Sequence, residues 1–369
     1  MKQGWEYKKI GNICNITTGK LDANAANEDG LYPFFTCSRI PLSINTYAYD
    51  CECILIAGNG DLNVKYYNGK FNAYQRTYIL QLKNDVNGVE MRYIFAFFNL
   101  YIEELRRKSI GGIIKYIKLG DLTNALLPLP DITTQLSIVS ELDKINELIR
   151  LKQEQLKDYD NLAQSIFYEM FGDPVDNEKG WEVKKIGEIG SVERGAGISK
   201  KDFVEDGLPC IHYGQLHTIL GARTKKHYTS IPHDLLPKYK VAHTGDLVMA
   251  ITSEDVEGSC KSTAWLGNYD VIVGSDAAIL HHEQDGTFLS YYTMTKAFYN
   301  EKAKYAKGFK VTHISTKEIE KISVFLPPLP LQHLFAQRIE QIERQKSAVQ
   351  KSITDLETIL ASRMQYWFE

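Results

Sequence analysis

Cysteine is scarce. The 369 residues hold six (Cys14, Cys37, Cys51, Cys53, Cys210, Cys260), with no CxxC pair and no histidine at zinc-ligand spacing. That excludes a zinc-stapled framework and fits free thiols in a reducing cytoplasm, the expected location. No apolar run approaches the length of a membrane span, and the first residues, MKQGWEYKKIG, lack the apolar core of a signal peptide. No membrane partner is expected. Catalytic motifs are missing too. There is no GxxxxGK phosphate loop, no GxGxxG dinucleotide turn and no HExxH. Nor is there an Asn-Pro-Pro-Tyr or Asp-Pro-Pro-Tyr motif of the kind that holds a flipped adenine. The nearest fragment, GDPV at Gly172 to Val175, reads as a helix stop. His281-His282-Glu283 reads as a solvated loop without a spaced ligand. No catalytic residue, metal or cofactor is assigned to this chain.

Strong charge of either sign is absent as well. Net charge is −3, and Lys plus Arg against Asp plus Glu runs 15 to 12 over residues 1–130 and 4 to 8 over 131–172. It runs 19 to 21 over 173–330 and 5 to 5 over 331–369. Any grip on a polyanion must therefore be local, or shared with a more basic partner.

What is present is a repeat. GWEYKKIG at Gly4 returns as GWEVKKIG at Gly180. Each copy continues into a β-rich stretch with Gly and Asn turns, CILIAGNGDLNVKYYNGKFNAYQRTYILQL and DLVMAITSEDVEGSCKSTAWLGNYDVIVGSDAAIL. Each then has an aromatic helical segment, MRYIFAFFNLYIEELRRK and FLSYYTMTKAFYNEKAKY, and a basic glycine turn. LLPLP and LPPLP punctuate the ends, and a helix begins after each.

Those helices carry heptads. Steps of 4 and 3 run through Ile138, Leu142, Ile145, Ile149, Lys152, Leu156, Tyr159, Ala163, Ile166 and Met170. The second seam is Phe335, Ile339, Ile342, Lys346, Val349, Ile353, Leu356, Leu360, Arg363 and Trp367. Alternation sustained this long marks a coiled-coil seam; two helices each packed on its own domain is the alternative. The expected fold is α+β, with two β-rich domains separated by a pair of long antiparallel coiled-coil helices and an internal pseudo-two-fold repeat. Its parts are 1–130, the helix 131–172, 173–330 and the helix 331–369. Chain order puts the two domains at opposite ends of a rod of roughly 50 Å.

In this doubled order, and in GLYPFFTC, LIAGNGD, KYYNGKFNAYQRTY, LPLPDITTQLSIV, ITSEDVEG, GFKVTHIS and LPPLPLQHLFAQRI, the chain resembles the specificity subunits of type I restriction–modification systems. The resemblance spans essentially the whole sequence. It implies a subunit without catalysis of its own, which reads a bipartite site in double-stranded DNA, one half per target-recognition domain, across a gap set by the helices. It also implies docking of two modification subunits that methylate adenine N6 with S-adenosylmethionine held in those partners, and restriction subunits in a larger complex. A two-headed binding scaffold that does not act on DNA is the rival class.

Base reading calls for polar side chains on loops and strand ends. In the first domain the candidates are Lys20, Ser38, Arg39, Asn59, Tyr74, Gln75 and Arg76. In the second they are Tyr213, Gln215, Thr252, Ser253, Glu254 and Ser275 with its neighbour Asp276, Glu254 and Asp276 being suited to cytosine N4. Ion pairs within the sheet and capping of local turns are the competing uses. Arg107 and Lys115, and Lys307 and Lys310, lie in the matching basic turns and suit phosphate. An apolar stripe beside the seams, Leu162 with Ile359 and Phe167 with Met364, suits a partner surface or packing on the adjacent domain.

Overall fold

The computed structural model describes residues 4–198, 200–233, 240–308 and 311–369. It divides into two compact units, Met1–Glu154 with Gln350–Glu369, and Gln155–Val349.

In the first unit the GWE phrase forms a strand, Glu6–Lys9, that runs straight into a one-turn helix, Ile10–Ile13. The strand pairs antiparallel with Leu126–Leu129, Tyr7 opposite Pro128. LLPLP is therefore a strand as well as a stop; a two-stranded ribbon has free edges, where proline is tolerated. A six-stranded sheet follows, in the order Cys14–Thr18, Thr77–Leu82, Tyr49–Ala57, Val64–Ala73, Tyr32–Phe35, Leu42–Ile44. Phe71 stands opposite Tyr49 and Thr77 opposite Ala57. Six residues of chain thus join points eight residues apart on the central strand, roughly 26 Å. Six residues reach about 21 Å at most. The sheet has to curl. Helix Met91–Lys108 packs Tyr93, Ile94, Phe97 and Phe98 into the core with Ile54, Ile56 and Leu80.

The second unit repeats the plan with changes. Strand Glu182–Lys185 and helix Ile186–Ile189 come from the second GWE phrase, and the strand pairs with Ser323–Leu326. The sheet is split in two. One part orders Gly190–Arg194, Ala277–His282, Leu247–Ala250, Ser262–Trp265 and Arg223–Thr224. The other orders Thr229–Ile231, Leu208–Ile211, Val271–Val273 and Lys240–Ala242. The aromatic segment, expected as one helix, is two, Gly286–Tyr292 and Lys296–Ala303. Thr295 explains the break: its hydroxyl accepts from the Phe298 N–H at 3.4 Å, an N-cap that competes with helix continuation. His281 and His282 lie on a strand and not in the expected loop, with His281 Nδ1 2.8 Å from Asp246 Oδ2.

Two 40-residue helices, Ile132–Phe171 and Leu329–Phe368, carry the seams. Pro330 sits in the first turn of the second, where its missing N–H breaks no hydrogen bond. Gly172, at φ +77°, stops the first, its N–H donating to the Tyr168 carbonyl at 2.8 Å. Every residue of both seams is buried or half-buried. In the first unit Ile138, Val139 and Leu142 pack with Leu360, Met364, Trp367 and Phe368. Arg363 pairs with Glu141, which also accepts from Trp367 Nε1 at 3.0 Å. In the second, Ala163, Phe167 and Met170 cluster with Phe335, Ile339 and Ile342. There Asp160 meets Lys346 at 2.7 Å and Glu169 meets Arg338 at 3.8 Å, so partners descend one helix as they climb the other. The pairing is antiparallel. The polar seam residues Lys346 and Arg363 thus make cross-helix ion pairs.

One fully buried glutamine recurs in each unit. Gln135 Nε2 donates to the carbonyls of Gly88 (3.0 Å) and Pro130 (2.7 Å), and Oε1 accepts from Glu90 N at 3.0 Å. Gln332 Nε2 donates to Pro327 O and Gln284 Oε1, both at 2.8 Å, and Oε1 accepts from Asp285 N at 3.0 Å. Each ties the first turn of a long helix to the loop that precedes an aromatic helix. Gln135→Leu would take a partner from the exposed Gly88 carbonyl and the half-buried Glu90 N–H and orphan the buried Pro130 carbonyl, the last alone at roughly 1–3 kcal/mol. Its urea midpoint should fall clearly below that of the exposed control Gln153→Leu; equal midpoints would mean that the buried amide contributes nothing.

Candidate nucleic-acid interface

In the first unit the central strand ends at Ala57 and turns through Gly58-Asn59-Gly60. Gly58 admits no side chain, because a Cβ there would lie 2.4 Å from the Arg76 carbonyl. Its N–H donates to that carbonyl at 2.8 Å, and its own carbonyl accepts from Ile117 N at 3.0 Å. Gly60, at φ +69°, donates to Lys115 O at 2.9 Å. These bonds gather the Asn59 turn, the Tyr74–Arg76 turn and the segment after helix Met91–Lys108. Leu21 bridges Tyr74, and Gln75 Nε2 donates to Asp22 Oδ2 at 3.2 Å, which adds the Lys20 turn. Cys37 Sγ, 3.6 Å from Arg76 O, adds Ser38 and Arg39. Lys20, Ser38, Arg39, Asn59, Tyr74, Gln75, Arg76 and Lys115 therefore belong to one loop cluster.

Asp61 organises its charges, and the sequence reading passed over it. Arg39 Nε lies 2.7 Å from Asp61 Oδ2 and Arg106 Nη2 lies 3.7 Å from Oδ1. The hydrogen bond from Arg39, then the charges of Arg39 and Arg106, hold the Asp61 carboxyl below the usual carboxylate range. Arg39 is thus oriented by an ion pair while remaining exposed. Lys20, Arg76 and Lys115 are exposed and make no ion pair among the described residues. Arg107, exposed on the last turn of its helix, lies 3.3 Å from Glu104.

The second unit builds the same framework with other side chains. Ile251 follows strand Leu247–Ala250; its N–H donates to Asp276 O at 3.0 Å and its carbonyl accepts from Ile314 N at 3.1 Å. Those are the two bonds of Gly58. Thr252–Ser253 pairs with Thr312–His313 where Asn59 bridges Tyr116. Thr252 therefore stands for Asn59, Asp276 for Arg76 and His313 for Tyr116. A cleft of about 1120 Å³ opens here, lined by Tyr213, His217, Thr252, Ser253, Glu254 and Lys261, and by Gln164 of the long helix. Tyr213, Thr252, Ser253 and Glu254 are thus brought together. Ser253 Oγ accepts from Asp255 N at 3.5 Å and Asp255 Oδ1 from Gly258 N at 2.7 Å, which closes the turn and leaves Glu254 exposed. Lys302, also lining the cleft, donates to Glu257 O (2.8 Å) and Ser259 O (2.6 Å); burial pulls its pKa down.

Some candidates fall outside this picture. Gln215 is buried and caps helix Tyr213–Thr218: Oε1 accepts from His212 N at 2.9 Å and Nε2 donates to Thr229 Oγ1 at 3.2 Å. It is not free to meet a base. Ser275 is half-buried outside the cleft, its carbonyl accepting from Arg194 Nε at 2.8 Å. Lys307 is exposed with Nζ 2.7 Å from Glu318, whose carboxyl this bond, with those from Ser315, draws down to about 2. Lys310 lies outside the described residues. Leu162 and Ile359 are exposed, but Phe167 is not: its ring packs 5.0 Å from Phe171 and 5.6 Å from Phe335, in the core of the second unit. Met364 is half-buried against the core of the first. The stripe is therefore divided between surface and core.

The sequence matches the type I restriction modification DNA specificity domain over residues 2–158 and again over 178–358. It is 26% identical to the EcoDI type I restriction enzyme specificity subunit of Escherichia coli, over 95% of this chain and 84% of that protein. It is 23% identical to the MjaVIII specificity subunit of Methanocaldococcus jannaschii, over 92% of this chain and 86% of that protein. The fold is similar to the S subunit of a type I restriction–modification system from M. genitalium, with TM-score 0.57 and 14% identity, covering 100% of this chain and 98% of that one. A chain from a structure concerned with complex assembly and conformational transition of the type I system aligns with TM-score 0.59 and 18% identity, covering 100% of this chain and 98% of that chain. With its domain matched twice and both copies built on one backbone framework, the chain belongs to the specificity-subunit family of type I restriction–modification systems.

Proposed function

We propose that the chain reads a bipartite site in duplex DNA, one half by each loop cluster, and carries no chemistry itself. What supports this reading most is that one backbone framework presents different side chains in the two units, Asn59 and Arg76 in the first, Thr252 and Asp276 in the second. An arginine suits the O6 and N7 acceptors of guanine, and a carboxylate suits the N4 donor of cytosine. Two readers of opposite charge on equal scaffolds fit a site with unlike halves. Arg107, Lys115 and the basic turn of the second unit would hold phosphates, setting register without reading sequence. On this reading residues 1–130 and 173–330 are the target-recognition domains, and 131–172 and 331–369 are spacers that set the unread gap. Leu162 and Ile359 offer exposed apolar surface to two modification subunits, which would methylate adenine N6 with their own S-adenosylmethionine; restriction subunits join the larger complex.

Arg76→Ala tests the first reader. Losing a bidentate guanine contact should cost about 1–3 kcal/mol of discrimination at one base pair and leave the other half-site unaffected. Selection from random duplex pools, with the modification subunits present, measures it. An equal loss on every sequence would make Arg76 a phosphate or structural residue.

A further inference from the structure

After its aromatic helices each unit joins two residues by a pair of backbone hydrogen bonds, a feature that the reading above uses only for its cations. In the first, Ile110 and Tyr116 exchange both backbone hydrogen bonds, at 3.0 and 2.8 Å, around the loop Gly111-Gly112-Ile113-Ile114-Lys115. In the second, Lys307 and His313 do the same at 3.3 and 2.8 Å. The glycine after the first bridge residue is at φ +120° in one (Gly111) and +126° in the other (Gly308). A Cβ would lie 2.5 Å from Ile114 O at Gly111 and 1.9 Å from Val311 O at Gly308, so the loop shape requires glycine in both. Such a loop is a built element.

In the first unit the tip is apolar and in water: Ile113 is 104% exposed and Ile114 62%. A fully exposed isoleucine buries nothing and contributes nothing to the core. Along the chain the run RRKSIGGIIKYIK, Arg106 to Lys118, holds five cations; Arg106, Arg107 and Lys108 pair with Glu103 and Glu104, while Lys115 and Lys118 make no ion pair among the described residues. The hairpin is also fastened to the reading loops, through Gly60 N to Lys115 O at 2.9 Å and Ile117 N to Gly58 O at 3.0 Å, and Gly58 is bonded in turn to Arg76 O. An apolar tip with the unpaired Lys115 next to it in sequence, locked beside polar readers, matches a nucleic-acid groove, where cations meet phosphates and an apolar side chain enters between bases.

We propose that Ile113 and Ile114 form a wedge that unstacks one base step of the half-site read by the first unit. The inference rests on the DNA-reading function. Because pyrimidine–purine steps unstack most easily, the wedged step should be of that kind, a preference imposed without any hydrogen bond to a base.

The test uses the full chain assembled with its modification subunits, on duplexes bearing its methylated site. 2-Aminopurine is placed in turn at each position except the target adenine. One position in the first half should brighten several-fold on binding. The double variant Ile113→Ser, Ile114→Ser, at exposed positions that leave the core intact, should abolish that signal and weaken binding. Its dependence on salt should be unchanged, because no phosphate contact is lost. Lys115→Ala should keep the signal and lower the salt slope by about one. If the complex binds its site but no position outside the target adenine brightens, or if the serine variant brightens like the parent, the wedge is refuted and DNA reading stands. Failure of the serine variant to assemble with the modification subunits would reassign the tip to a protein contact. No sequence-dependent binding at all would remove both.

Discussion

Four residues inserted after Tyr159, with four more after Lys346, should leave both half-sites unchanged and lengthen the unread gap between them. Tyr159 lies within helix Ile132–Phe171 and Lys346 within Leu329–Phe368. Four residues add about 6 Å of rise and about 40° of turn, since four steps of 100° exceed one revolution by that much. Four is also one step of the seam, so the apolar pattern survives as a stutter. Placing both insertions at the Asp160–Lys346 pair keeps that pair on one side and the Glu141–Arg363 pair on the other. An insertion in one helix alone would slide one set past its partners. Two further base pairs, roughly 7 Å, match the added length. Methylated sites in cells carrying the variant should therefore keep their bases and gain unread positions. A functional variant whose gap is unchanged would mean that the helices do not set the spacing.

The long helices were legible because heptad spacing is a property of residue type and position alone, and all the seam residues are buried or half-buried. Helix Met91–Lys108 was legible from its aromatic-rich composition; its counterpart was not, because Thr295 caps where composition alone suggests continuity. Phe167 takes the second of its two expected uses, packing on the adjacent domain, and Gln215 was misassigned. An aromatic beside a seam and a glutamine after a strand look like surface residues until the neighbouring Phe288 or the His212 N–H is in place. The candidate site was half legible. Its polar turns stand out in sequence, but the bonds that make Asp276 the counterpart of Arg76 run through backbone atoms, and the two stretches share almost no side chains. Asp61, which orients Arg39, and the glutamine pair Gln135 and Gln332 were present in the repeated phrases, yet only their partners reveal what they do.

Exchange of residues 20–125 for the corresponding segment of a relative with another specificity should replace one half of the recognised sequence outright. The boundaries spare strand pair Glu6–Lys9 with Leu126–Leu129, and the Trp5 ring stacked 6.3 Å from Trp367, so the attachment of the segment is retained. The Gln135 bonds reach only backbone atoms of Gly88 and Glu90 within the exchanged part, and a related backbone can supply them. Everything from Gly180 onward, with its Thr252, Glu254 and Asp276, is untouched. Sequencing the methylated adenines in cells that make the exchanged chain with its own modification subunits measures the outcome directly. Two independent readers predict new bases in one half, with the other half and the gap as before; a site altered in both halves, or in neither, would contradict them.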